Sequence, residues 1–102
     1  MRLSAEQKEI IRKNAIKYFG ENTHIWLFGS RVNDEGRGGD IDLYIEPAKK
    51  NAADIIMAKL QFLREIHKQL GDQKVDVVIY RPGHSPDLPI YRIAKQTGVL
   101  LQ

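Results

Sequence analysis

At 102 residues, 42% of them hydrophobic and none of them cysteine, the chain is expected to fold as one domain over 1–102, with no disulfide or thiolate zinc site to hold it. The amino terminus, MRLSAEQKEI, lacks the apolar core of a secretory leader and no run approaches the ~20 residues of a membrane span, so a cytoplasmic protein without a membrane partner is expected. Sixteen Lys and Arg against thirteen Asp and Glu give a net charge of +3, scattered without blocks, which suits a polyanionic ligand or an ordinary solvated surface equally.

In chain order, Ser4-Ala5-Glu6-Gln7 has the capping-box pattern. Behind it Leu3, Gln7, Ile10, Ile11, Ala15, Tyr18 and Phe19 recur near the helical period, and Gly20 supplies a stop. His24-Ile25-Trp26-Leu27-Phe28 is short, apolar and rich in strand formers, which predicts a buried strand ending at Gly29. Residues 31–39 are polar and contain three glycines, a loop. Asp40 to Glu46 alternates as a second strand closed by Pro47. Asn51 or Asp54 can cap a long helix whose Ile56, Leu60, Leu63, His67 and Leu70 form a stripe stopped by Gly71. Lys74 to Tyr80 reads as a third strand, 81–86 as a turn-rich connector, and Leu88 to Gln96 as a last short helix before Gly98. The apolar Val99-Leu100-Leu101 suits an edge strand or an interface with another copy or another chain. The order α-β-(loop)-β-α-β-α predicts a small α/β (α+β) domain with a mixed sheet and helices packed on it.

The chemistry-bearing residues gather at the strand ends. Residues i and i+2 of a strand project to one face with Cα atoms ~6.5 Å apart, so Asp40 and Asp42 point together while Ile41, Leu43 and Ile45 can face the core. Two carboxylates at ~6 Å and an effective dielectric of ~20 repel by about 2–3 kcal/mol, and a divalent cation offsets this directly. Asp76, between Val75 and Val77, joins the pair if its strand lies beside the second. Three carboxylates can hold two Mg²⁺ ions ~3.5–4 Å apart for an in-line displacement. Gly29 lets the backbone approach a ligand closely, Ser30 at a helical turn forms an anion site, and Arg31 adds a charge-assisted bond to phosphate, with Arg37 a weaker candidate. Each piece alone has a structural explanation in a turn, a loop end or a surface ion pair; the conjunction points to metal and triphosphate. Trp26 and Phe28 read as core more than as a nucleobase platform, Tyr80 and Tyr91 could be partner contacts with burial the default, and His24, His67 and His84 lack metal-ligand spacing.

Gly29-Ser30-Arg31 followed by Asp40-Ile41-Asp42-Leu43, with Val75-Asp76-Val77-Val78 later, resembles the nucleotidyltransferase superfamily that includes DNA polymerase beta. The pattern is most similar to its minimal MNT-type members. The likeness extends over nearly the whole chain, including Ile90-Tyr91-Arg92-Ile93-Ala94, Gly98 and Leu101. The nine residues between Ser30 and Asp40 are one fewer than usual, and Gly39 stands where a small polar residue often precedes the first Asp. The resemblance implies that Asp40 and Asp42 bind two Mg²⁺ ions with ATP, that Asp76 completes the metal site nearer the acceptor, and that Gly29 and Ser30 hold the β and γ phosphates. The implied reaction moves AMP from ATP to a hydroxyl and releases pyrophosphate. Larger relatives carry a helical domain, for which no counterpart is expected in these 102 residues. In minimal members a separate HEPN-type helical protein takes that role, in pairs resembling toxin–antitoxin modules where the MNT protein is the antitoxin and adenylylates a tyrosine of the toxin. Two other functions stay open: a non-catalytic binding module that neutralises a partner by occlusion, and an enzyme with a small-molecule acceptor. Nucleic acid is not the expected acceptor, since no basic strip interleaved with aromatics is visible.

Overall fold

A computed structural model describes residues 4–29, 41–71, 74–81, 83 and 88–101. Seven elements follow in order: α1 (Ala5–Phe19), β1 (His24–Phe28), β2 (Ile41–Glu46), α2 (Ala52–Leu70), β3 (Val75–Ile79), α3 (Pro89–Thr97) and β4 (Val99–Leu100). The strands form one mixed sheet ordered β3-β2-β1-β4. β1 runs antiparallel to both β2 and β4, while β2 and β3, joined through α2, are parallel, as expected for strands linked by a crossover helix.

α1 starts where the sequence marks it. Ser4 Oγ accepts from the Gln7 backbone N–H at 3.1 Å, and the Gln7 side chain accepts from the Ser4 N–H at 2.9 Å, so two donors that helix geometry leaves unpaired are satisfied reciprocally. For α2 the cap is Asn51 rather than Asp54: its side chain accepts from the backbone N–H groups of Ala53 and Asp54 at 2.9 and 3.2 Å.

The principal core lies between the sheet and the α1/α2 layer. Ile25 and Leu27 of β1 and Ile41, Leu43 and Ile45 of β2 are fully buried, facing Ile11, Ala15 and Phe19 of α1 and Ile55, Ala58, Phe62 and Ile66 of α2. The Phe19 and Phe62 rings meet at 5.5 Å between centroids, inside the range of favourable aromatic pairs. This corrects the expected stripe of α2 in part: Leu63 and Leu70 do pack against the core, but Ile56 and Leu60 are 63% and 60% exposed and His67 is exposed as well. Two apolar stripes share the helix at the same period, and periodicity cannot choose between them. The choice falls to the stripe that carries Phe62, whose ring fills the space beside Phe19.

The strands' even-numbered positions project to the opposite face, where α3 packs. Lys95 Nζ of α3 lies 3.3 Å from Glu46 Oε2 and 5.4 Å from the centre of the Trp26 ring, and the Tyr91 ring sits 6.2 Å from that of Tyr44. Trp26 and Phe28 therefore belong to this second face, half-buried, and not to the principal core. Gly98 lets α3 and β4 close onto β1: a Cβ there would lie 3.0 Å from the Leu27 carbonyl oxygen and 3.2 Å from Trp26 Cβ, and would overlap the Ala94 carbonyl oxygen. The apolar end forms an edge strand as expected, with Trp26 opposite Leu100 and Leu27 opposite Val99. No helix among the described residues is long and apolar enough to cross a membrane.

Candidate active site

Two of the three predicted carboxylates fall within the described residues, and the fold puts them side by side. The parallel register of β2 and β3 pairs Asp42 with Asp76, on strands whose spacing is about 4.8 Å. Both leave the sheet on the α3 face, because their neighbours Ile41, Leu43, Val75 and Val77 belong to the core side. β2 has the core on one face and this site on the other: Ile41, Leu43 and Ile45 inward, Asp42, Tyr44 and Glu46 outward. The alternation that builds the core thus also aims the carboxylates.

On the other side of β2, Phe28 pairs with Asp42, so the chain leaves β1 directly beside the Asp42 side chain. Gly29 makes this possible. Its φ is +81°, and a Cβ at this position would overlap Asp42 Oδ2 and lie 3.1 Å from Asp42 Cγ. A side chain here would oblige the Asp42 carboxylate to rotate away from its present position, and the positive φ itself favours glycine. Gly29 is therefore a cradle for Asp42 as well as a turn.

Lys74 Nζ stands 3.9 Å from Asp76 Oδ2, both side chains being about half or more exposed. At that exposure the Lys74–Asp76 pair contributes at most ~1 kcal/mol. Among the described residues no group of three His, Cys, Asp or Glu side chains converges to hold a metal ion. Asp42 and Asp76 are nonetheless a fitting donor set for Mg²⁺, which takes hard oxygen ligands and is commonly held by one or two carboxylates together with substrate phosphates. The other predicted site residues, Ser30, Arg31, Arg37 and Asp40, lie outside the described residues.

Beyond the carboxylates the same face carries a group that the sequence did not single out as a site. Tyr44, two residues along β2 from Asp42, is 2% exposed, and its hydroxyl donates to Glu46 Oε2 at 2.7 Å. Burial, reinforced by the Glu46 carboxylate, pushes its phenol well above the usual range. Trp26 lies 5.2 Å from the Tyr44 ring, Tyr80 6.4 Å, and Tyr80 meets Tyr91 edge to face at 4.9 Å. Tyr44, Tyr80 and Tyr91, with Glu46, Arg92 and Lys95, line an open cleft of about 180 Å³. The signal in the sequence was the i, i+2, i+4 run Asp42, Tyr44, Glu46, which puts the tyrosine on the carboxylate face.

No curated protein matches the chain. The family described as "Polymerase beta, Nucleotidyltransferase" matches residues 8–102, a span that takes in Gly29, both carboxylate strands and the α3–β4 end. With that match over most of its length, and with the mixed α/β sheet of the fold beneath it, the chain belongs to the polymerase beta nucleotidyltransferase family.

Proposed function

We propose that this protein transfers AMP from ATP to a hydroxyl of a partner protein, a tyrosine of a helical HEPN-type toxin, and so serves as the antitoxin of the pair. One observation carries the chemical part: Asp42 and Asp76 stand in register on neighbouring strands, with Gly29 pressed against Asp42. Two carboxylates held side by side on neighbouring strands favour a divalent cation. Asp42 and Asp76, together with Asp40, would hold Mg²⁺, which supplies charge neutralisation and polarisation of the triphosphate when bound. Gly29, Ser30 and Arg31 would receive the phosphates. In the transfer the acceptor oxygen bonds to the α-phosphorus, the α–β anhydride bond breaks, pyrophosphate leaves, and the hydroxyl proton passes to a base or to water. What the residues contribute is position and charge, which is most of the catalysis such reactions need.

The protein acceptor rests on the family resemblance and on one feature of the surface. Ile56, Met57 and Leu60 of α2 are each more than half exposed, an apolar patch suited to contact with another protein. The test is transfer of label from α-labelled ATP to a co-expressed helical partner in the presence of Mg²⁺. Label should reach a tyrosine of that partner and fall by two orders of magnitude or more in Asp42→Asn and in Asp76→Asn. Undiminished transfer in both variants would exclude these carboxylates from the chemistry. Full neutralisation of the partner by the unlabelling Asp42→Asn variant would replace transfer by occlusion as the mode of action.

A further inference from the structure

We propose that the cleft walled by Tyr44, Tyr80 and Tyr91 is the subsite for the nucleobase of the triphosphate, an inference that rests on the nucleotidyl-transfer reading above and assigns its nucleoside end. Three features point to it. The cleft lies on the same sheet face as the carboxylates, and it is reached by walking down the two strands that carry them. With a strand rise of ~3.3 Å per residue, Tyr44 stands ~6.6 Å from Asp42 along β2, and Tyr80 stands ~13 Å from Asp76 along β3. A nucleoside triphosphate whose α-phosphate sits at Asp42 and Asp76 must place its base one ribose away, and the cleft occupies that distance.

The size and chemistry of the cleft agree with a base. At about 180 Å³ it is smaller than the ~300–1,000 Å³ pockets that enclose whole ligands, so it admits one ring system and not an entire nucleotide. Its walls are the half-buried rings of Tyr80 and Tyr91 over the buried ring of Tyr44. Aromatic faces hold bases by stacking, without hydrogen-bond readout. Its rim is polar. Glu46 Oε2 is fixed by the Tyr44 hydroxyl at 2.7 Å and by Lys95 at 3.3 Å, which holds a carboxylate at the rim that can accept from an exocyclic amine. Arg92 and Lys95 make the rest of the rim cationic.

The experiment compares two probes on the full chain with Mg²⁺: ATP, and inorganic tripolyphosphate, which has the phosphates and no base. On the wild-type protein, NMR shifts seen with ATP but not with tripolyphosphate should fall on the rings of Tyr44, Tyr80 and Tyr91. Tyr91→Ala should weaken ATP binding roughly 5- to 150-fold, the equivalent of the ~1–3 kcal/mol that one base stack is worth, and change tripolyphosphate binding less than twofold. Tyr80→Ala, read the same way, covers the case in which Tyr91→Ala does not fold. Wild-type binding of ATP with its specific shifts outside the cleft, or equal weakening of both probes in a folded variant, overturns the subsite and leaves the transferase reading standing. Binding of neither probe by the wild-type protein overturns both.

Discussion

Gly29→Ala tests the site's geometry most directly, because it adds a single carbon at the contact that positions Asp42. Two costs are separable. At φ +81° an alanine enters the left-handed region, which costs ~1–2 kcal/mol for a residue with a Cβ. The added carbon also overlaps Asp42 Oδ2 and would lie 3.1 and 3.3 Å from Asp42 Cγ and Cβ, so the carboxylate must turn away, and an off-rotamer side chain costs ~0.5–1.5 kcal/mol. Gly83 provides the control, since it has the same φ of +81° and a Cβ there would meet no described atom within 4 Å. Urea denaturation should therefore show a loss of about 1.5–3.5 kcal/mol for Gly29→Ala against about 1–2 kcal/mol for Gly83→Ala. In a domain of this size ~1 kcal/mol corresponds to ~4–8 °C in Tm, so the two melting curves should be well resolved. The larger loss should come with displacement of the carboxylate: addition of Mg²⁺ should raise the Tm of wild type and of Gly83→Ala, and fail to raise that of Gly29→Ala. Equal destabilisation by the two substitutions, with Mg²⁺ stabilisation intact in both, would refute the account of Gly29 as the cradle of Asp42.

Three further outcomes are expected. Phe62→Ala, at a fully buried ring, should cost about 3–5 kcal/mol, while Leu60→Ala on the outward stripe should stay within ~0.5 kcal/mol of wild type; similar losses from both would mean that α2 packs by the other stripe. Tyr44 has a raised phenol pKa in the folded protein, so the folded state keeps a proton that the unfolded chain releases above pH ~10. The stability it contributes is complete below that pH and is lost as pH rises, by up to ~1.4 kcal/mol per pH unit. Denaturation between pH 10 and 12 should thus be shallower with pH in Tyr44→Phe than in wild type, and parallel slopes would refute the burial-driven shift. Ser4→Ala removes the cap of α1 and should cost ~1 kcal/mol; an unchanged urea midpoint would show that α1 does not depend on it.

The parts of this structure legible in the sequence are those fixed by local rules. Capping of α1 follows from Ser4 and Gln7, and β1 from five apolar or aromatic residues closed by a glycine, because those signals act within one turn or one strand. The same-face placement of Asp42 with Tyr44 and Glu46 follows from the period of a strand. What local rules do not contain is which face of α2 meets the core. Ile56 and Leu60 satisfy the helical period as well as Ile55, Phe62 and Ile66 do, and only the space left beside Phe19 decides between them. The second face of the sheet was hidden for a related reason. Trp26, Tyr44, Tyr80 and Tyr91 come from four separate segments, and α3 brings them together by contacts between residues as far apart in sequence as Trp26 and Lys95.

That second face bears on how a domain this small divides its labour. The principal core uses the odd-numbered positions of β2, and the even-numbered positions are free to carry Asp42, Tyr44 and Glu46 in a line. The parallel neighbour β3 repeats the arrangement with Asp76, Val78 and Tyr80, in a register that sets Asp76 against Asp42. A one-residue slip of that register would turn Asp76 and Tyr80 into the core and Val77 out to the site. The slip is opposed by the burial of Val75 and by the packing of Val77 and Ile79 against the core. The apolar residues of β3 therefore hold the carboxylates in line without touching them, and polar substitution at Val75 should disturb metal binding through register before it disturbs any contact in the site.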